Sequence, residues 1–168
     1  ERMDAIIGLG SNLGDRIENL RTAVGALGAL GTVRVRSAVY ETAPVGGPPQ
    51  PDYLNAALWL STDMEPLALL DKMSAVEREA GRVRDPGVRN EARTLDLDLL
   101  LLGDHGEVVL VLPELVVPHP RFHERAFALR PVLDLDPTLN HPALGVSLEA
   151  LLAELPPDEL AMRTVGWL

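Results

Sequence analysis

The alternation of apolar and polar positions divides most of the chain into short elements. Ala5 to Leu9, between Asp4 and Gly10, is an apolar run of strand length and reads as a short buried strand. From Gly14 to Leu30 the residues Ile17, Leu20, Val24, Leu27 and Leu30 recur at helical spacing. Gly31 is placed to end that helix, and Ser11 or Asn12 to cap its start. Val33 to Tyr40 alternates, with Val33, Val35 and Val39 on one face and Arg34, Arg36 and Tyr40 on the other, the pattern of a half-buried strand. Leu54 to Leu60 does the same, with Leu54, Ala56, Leu58 and Leu60 toward a core and Tyr53, Asn55, Ala57 and Trp59 away from it. Pro66 to Ala80 predicts a second helix, with Pro66 in its first turn and Gly81 past its end. Leu95 to Leu102 alternates again, and a short hairpin, a helix near Phe122 to Leu133 and a weaker one near Ser147 to Leu155 complete the chain.

Strand, helix, strand, strand, helix, strand is the order of a ferredoxin-like βαββαβ unit. The fold class expected is therefore α+β, with a mainly antiparallel sheet, helices packed on one face of it and C-terminal additions extending it. No repeat, low-complexity tract or linker interrupts the pattern, so residues 3–168 are expected to form one domain, with Glu1 and Arg2 set aside as a remnant ahead of Met3.

Charge narrows the range of partners. With 15 basic and 25 acidic residues the net charge is −10, which argues against a nucleic-acid partner. No apolar run approaches the length that spans a bilayer, and Leu97 to Leu102 is broken by Asp98, so no membrane partner is expected and the cytoplasm is the expected location. There is no cysteine, which removes thiolate catalysis and zinc–thiolate sites. No glycine-rich loop ends in Lys-Ser or Lys-Thr, which removes a P-loop. Gly8-Leu9-Gly10-Ser11-Asn12-Leu13-Gly14 follows a strand, yet its third glycine comes one place late for a dinucleotide fingerprint, and the glycines read as close packing and a tight turn.

Against that acidic background Arg82, Arg84, Arg89 and Arg93 crowd into one segment, a local positive patch suited to a small polyphosphate. The segment leads into Arg93-Thr94-Leu95-Asp96-Leu97-Asp98, where the strand period sets Asp96 and Asp98 side by side, roughly 6–7 Å apart, while Leu95, Leu97 and Leu99 bury the reverse. An isolated Asp-x-Asp is more often just a solvated strand face. Guanidinium groups beside it change the balance, because carboxylates that hold magnesium and arginines that fork onto phosphate oxygens together lack only a metal–polyphosphate. Tyr53 offers an aromatic plate and Asn55, on the same face, two donors and an acceptor, a pairing suited to a flat heterocycle; a Tyr at a sheet edge and an Asn bonded to backbone is the plain alternative. In Val117-Pro118-His119-Pro120-Arg121-Phe122-His123-Glu124-Arg125-Ala126-Phe127 the flanking prolines restrain His119, Arg121 and Arg125 fall on one side of an early helix turn, and Phe127 is either core or a second plate. His123 reads as a surface residue, and His105 and His141 sit in turns without evident partners.

Six segments in order resemble the 6-hydroxymethyl-7,8-dihydropterin pyrophosphokinase family: Gly10 to Asp15; Tyr40-Glu41-Thr42-Ala43-Pro44; Pro51 to Ala56; Glu77 with Gly81-Arg82-Val83-Arg84; Arg93 to Asp98; and Pro118 to Phe127. The resemblance implies diphosphoryl transfer from MgATP to the pterin alcohol, with AMP as the other product. It implies two Mg2+ ions on Asp96 and Asp98, with Arg82 and Arg93 acting on the phosphoryl groups. It places Glu77, Arg84, His119 and Arg125 along ATP, and Thr42, Pro44, Val45, Tyr53, Asn55, Asp96 and Phe127 around the pterin. A monomer is expected. Family members carry Trp-Gly-Pro before the arginine that matches Arg93; here Asn90-Glu91-Ala92 stands there, and Glu91 is expected to pair with Arg84 or Arg89. Two other readings compete: another magnesium-dependent nucleotidyltransferase or phosphotransferase using the Asp-x-Asp pair, and a ferredoxin-like RNA-binding module, against which the net charge speaks.

Overall fold

The computed structural model of the protein describes residues 2–43, 49, 51–81 and 94–168. Its chain order is β1 (Met3–Ser11), α1 (Arg16–Gly28), β2 (Thr32–Arg36), β3 (Ala38–Thr42), β4 (Tyr53–Thr62), α2 (Pro66–Glu79), β5 (Asp96–Leu102), a hairpin of β6 (Leu110–Val111) and β7 (Val116–Val117), a 3-10 turn (Phe122–Glu124), α3 (Ala126–Leu135), α4 (Leu148–Ala153) and β8 (Arg163–Trp167). The main sheet runs β5-β1-β4-β3-β8, with β2 also paired to β4, and all its pairings are antiparallel. Counting β2 and β3 as one interrupted strand, this is the ferredoxin-like order expected from the sequence.

The interruption departs from the single strand read over Val33 to Tyr40, and Ser37 explains it. Its backbone amide still donates to the Ala57 carbonyl, but the Ala57 amide donates to the buried Ser37 hydroxyl, which in turn donates to the Ala38 carbonyl, so a side chain replaces one of the ladder's backbone bonds. The two halves then serve different surroundings. Val35 is exposed, whereas Val39 and Tyr40 are both buried, on opposite faces of the sheet.

One face carries Ala5, Ile7 and Leu9 of β1, the even-numbered apolar residues of β4 and Leu97 and Leu99 of β5, packed against Leu20, Ala23 and Leu27 of α1 and Leu69 and Met73 of α2. The helices meet the sheet there as the periodicity predicts. Helix α1 is capped by Asp15, which accepts from the Glu18 amide, rather than by Ser11 or Asn12, both of which are buried in other bonds. It ends at Gly28, short of Gly31. Gly31 has a different role: a Cβ there would run into the Ser61 carbonyl.

The opposite face is where the C-terminal addition does more than extend the sheet. Leu129, Val132, Leu133 and Leu135 of α3, with Phe122 and Leu148, cover Ile6, Ala57, Leu100 and Leu101. The helix read over Phe122 to Leu133 is split by Arg125, whose extended backbone separates the 3-10 turn from α3. Asp134 fastens α3 to β3: its Oδ2 accepts from the Tyr40 hydroxyl at 2.6 Å and from the Ala38 amide at 3.2 Å. Burial, and then the Asp134 hydrogen bond, push the Tyr40 phenol up to about 12. His141 also acquires partners, accepting at Nδ1 from the Leu144 and Ala143 amides and packing beside Phe122 and His123. Burial, followed by the neighbouring His123, lowers its pKa.

Replacing Asp134 with Ala strands a phenol and an amide in this interface. We expect a loss of about 1–3 kcal/mol in urea unfolding at neutral pH and a fall of the Tyr40 phenol toward its usual value of 10.0 by absorbance titration. Because the folded pKa is the higher one, the stability tied to the neutral phenol is complete below pH 10.0 and disappears as pH rises through about 12.

Candidate active site

The face under α3 is apolar only over part of its area. Along β5, Leu100 belongs to the core, whereas Asp98 and Asp96, two and four residues back on the same side, lie beyond the helix and are only half-buried. Leu95, Leu97 and Leu99 are buried on the reverse, as the alternation predicts. Next to β5, strand β1 presents glycine at both matching positions: Asp98 is paired with Gly8 and Asp96 with Gly10. On the far side of β1, Gly10 is paired with Asn55. The row Asp96–Gly10–Asn55 therefore crosses three strands with no side chain in its middle, and the two polar residues stand about 10 Å apart across a bare backbone floor. A Cβ on Gly10 would sit 3.4 Å from Asn55 Oδ1 and 3.6 Å from the Tyr53 ring, so any larger side chain would intrude on both.

Glu77, on α2, reaches the same strand from its outer edge. It is buried, and its Oε2 accepts from the Leu97 amide at 2.7 Å, fixing the residue between the two aspartates. His119 closes the floor from the other direction. Its backbone amide donates to the Leu100 carbonyl, so the segment after β7 runs along β5, and Nε2 stands 3.8 Å from Asp98 Oδ1. The Arg121 amide donates to Nδ1 at 3.3 Å, which puts the proton of the neutral ring on Nε2, facing the aspartate. Burial is the main cause that lowers the His119 pKa; Arg125 and Arg121 lower it too, and Asp96 opposes them. The ring is thus neutral at physiological pH and does not cancel the charge of Asp98.

Arg125 and Phe127 form the wall toward α3, with the guanidinium carbon 5.5 Å from the centre of the Phe127 ring. Arg121 is not on this wall; it is exposed and pairs with Glu124, because the 3-10 turn breaks the helical spacing that would place it beside Arg125. On the opposite side Tyr53 is half-buried, and Asn55, buried, donates from Nδ2 to the Thr42 hydroxyl at 2.8 Å. That bond orients the amide and leaves Oδ1 and one N–H for another partner. Of the predicted site residues, Glu77, Asp96, Asp98 and His119 meet around β5, Arg125 pairs with Phe127, and Thr42, Tyr53 and Asn55 gather on β3 and β4. Arg82, Arg84, Arg93, Pro44 and Val45 lie outside the described residues, as do Glu91 and its expected partners.

Three further residues shape the site although nothing in the sequence pattern singles them out for it. Gly8 is a packing glycine, as its pattern suggests, with the Leu100 side chain lying against it, whereas strand register puts Gly10 in the floor between Asp96 and Asn55. Asn12, one residue beyond β1, donates to the Pro51 carbonyl just ahead of Tyr53.

The donor set suits a hard cation shared with a polyphosphate. Among the described residues no three His, Asp or Glu side chains converge into an all-protein metal site. Magnesium does not require one, since it is held by one or two carboxylates with phosphate oxygens and water completing the shell. Two carboxylates beside Gly10, next to a polar edge with an aromatic plate, have the chemistry that a phosphoryl- or diphosphoryl-transfer enzyme with a planar acceptor requires.

The comparisons with known proteins agree. The family model for 7,8-dihydro-6-hydroxymethylpterin-pyrophosphokinase (HPPK) matches residues 6–137. The 2-amino-4-hydroxy-6-hydroxymethyldihydropteridine pyrophosphokinase of Pseudomonas aeruginosa is 43% identical over 152 residues, covering 89% of this chain and 90% of the relative. That of Bacillus subtilis is 43% identical over 133 residues, covering 78% and 77%. Among solved structures, Plasmodium falciparum HPPK-DHPS (wild type with pteroate) superposes with a TM-score of 0.71 at 14% identity over 92% of this chain, and an HPPK-DHPS in complex with substrates with 0.68 at 11% over 90%. These two show the fold; the chain spans only 42% and 43% of those longer proteins. The chain belongs to the HPPK family.

Asp96 is a carboxylate that raises the His119 pKa against burial and the arginines. Asp96→Asn should therefore move the His119 titration further below 6.5 by NMR; an upward shift would contradict the geometry described.

Proposed function

We propose that this chain transfers the diphosphoryl group of MgATP to 6-hydroxymethyl-7,8-dihydropterin, releasing AMP and the pterin diphosphate, a step of folate synthesis. The observation that supports the reading is the row Asp96–Gly10–Asn55, which sets one of the two aspartates and the Asn55 amide on one floor, at a separation of about 10 Å that a phosphate chain and a hydroxymethyl group can bridge.

On this reading the hydroxymethyl oxygen attacks the β-phosphorus of ATP in line. A new O–P bond forms, the bond from the β-phosphorus to the α,β-bridging oxygen breaks, its electron pair leaves with AMP, and the hydroxyl proton passes to solvent. The transfer needs positioning and charge stabilisation more than covalent help. Asp96 and Asp98 would hold the two Mg2+ ions, which would supply neutralising charge to the phosphates. Glu77 fixes the strand that bears them, and neutral His119 adds no competing positive charge beside Asp98. Arg125 contributes a cation on the nucleotide side. Tyr53 and Phe127 supply aromatic faces for the pterin, and Asn55, oriented by Thr42, bonds to its edge. Pro44 and Val45, whose backbone would bond to the pterin edge, and Arg82, Arg84 and Arg93, which would contact ATP, join this assignment on the strength of sequence. Residues 3–168 work as one catalytic unit, a cytoplasmic monomer without nucleic-acid or membrane partners. No helix among the described residues is long and apolar enough to cross a membrane.

The test is AMP release from ATP, which should depend on both Mg2+ and the pterin alcohol. Asp96→Asn and Asp98→Asn should each lower kcat by about 10²–10³, the cost of losing a group that stabilises transition-state charge. Variants within a few-fold of the parent enzyme would remove these aspartates from the reaction, and AMP release without the pterin would replace the reaction altogether.

A further inference from the structure

The turn between β1 and α1 reaches across the sheet to the strand ends that carry the heterocycle edge. Arg16, the first residue of α1, uses one nitrogen, Nη1, for two bonds: to Glu41 Oε2 at 2.8 Å and to the Asp52 carbonyl at 2.9 Å. Glu41 immediately precedes Thr42, and Asp52 immediately precedes Tyr53, and Thr42 and Tyr53 are themselves paired in register. One guanidinium therefore ties together the two chain segments on which that edge is built. Asn12 adds a parallel tie to the adjacent carbonyl of Pro51. From the other side Arg163 of β8 also bonds to Glu41. The Arg16 hydrogen bond first, and then that of Arg163, hold the Glu41 carboxyl below its usual range, so it remains charged and keeps both partners.

A half-exposed ion pair of this kind contributes little to global stability. Its effect is local: the spacing between Thr42 and Tyr53 sets where Asn55, bonded to Thr42, presents its amide. Few groups are better suited to hold such spacing than a donor shared by a carboxylate on one strand and a carbonyl on the next. We propose that Arg16 is a positioning residue for the pterin acceptor, acting through Glu41 and Asp52 to set the Thr42–Asn55–Tyr53 edge, and that it has no part in holding ATP. The inference rests on the pterin reading of Tyr53 and Asn55.

Titration calorimetry on the whole chain separates the two substrates. Pterin binding is measured with 6-hydroxymethyl-7,8-dihydropterin, and nucleotide binding with a nonhydrolysable ATP analogue and Mg2+. Arg16→Met, which keeps the apolar stem and removes the donors, should weaken pterin binding roughly tenfold, the scale of a lost charge-assisted hydrogen bond. Nucleotide binding should stay within about twofold. In turnover, the KM for pterin should rise and kcat should hold, as expected when binding rather than transition-state contact is lost. Because a single nitrogen makes both bonds, Arg16→Lys should recover most of the affinity. Glu41→Gln, which keeps a neutral acceptor, should show an intermediate loss that is less than additive with Arg16→Met. If Arg16→Met does not fold, the lysine and glutamine variants decide the matter alone: near-parental and intermediate pterin affinities support the proposal. Unchanged pterin affinity in Arg16→Met or Glu41→Gln, equal loss of both ligands, or a lysine variant as weak as the methionine one overturns it. A parent protein that binds no pterin would instead sink the reading of the site itself.

Discussion

Two carboxylates on alternate positions of one strand repel each other, and the fold sets them against a neighbouring strand that carries glycine at both matching positions. Asp96 faces Gly10 and Asp98 faces Gly8 across the ladder, so the neighbouring strand puts no side chain of its own at either matching position. The reverse of the same strand is fully committed to the core through Leu95, Leu97 and Leu99. A one-residue slip would bury both aspartates and expose the leucines, which is why register here is fixed so firmly. Glu77 reinforces it with a buried bond to the intervening amide.

The sheet face above the site is divided in two. Where α3 covers it, Ile6, Ala57, Leu100 and Leu101 make an ordinary apolar layer. Beyond the start of α3, the same strands present Asp98, Asp96, Gly10 and Asn55. Arg125 and Phe127 stand at that boundary because the extended backbone at Arg125 ends the 3-10 turn and lets α3 begin, a break in the helix that brings a cation and an aromatic ring to the edge of the floor. The C-terminal addition thus closes a second core and supplies one wall of the site with the same segment. Membership of the HPPK family accords with this arrangement.

Much of the fold is legible in the sequence because β1 is an apolar run of strand length, β4 and the start of β5 alternate, and α1 and α2 keep helical spacing; local pattern and tertiary environment agree there. The Asp-x-Asp pair and the Tyr53–Asn55 pair are legible for the same reason. What the pattern hides depends on distant partners. Nothing local distinguishes Ser37 from any strand serine; it interrupts the edge because the Ala57 amide is there to be bonded. Strand β8 leaves little trace in the pattern because Arg163 to Trp167 is short, mostly exposed and paired on one edge only. His141 looks isolated in sequence because its donors are amides that curl back only in the folded turn. The role of Gly10 emerges only once β1 is seen between β5 and β4.

Whether the aspartate pair is a cation–phosphate site is the most direct question to put to the protein. Calorimetry with a nonhydrolysable ATP analogue and Mg2+, comparing the parent chain with Asp96→Ala and Asp98→Ala, measures that alone. The expected result is binding by the parent that depends on Mg2+ and is largely lost in both variants. Equal, metal-independent binding by all three proteins would contradict it.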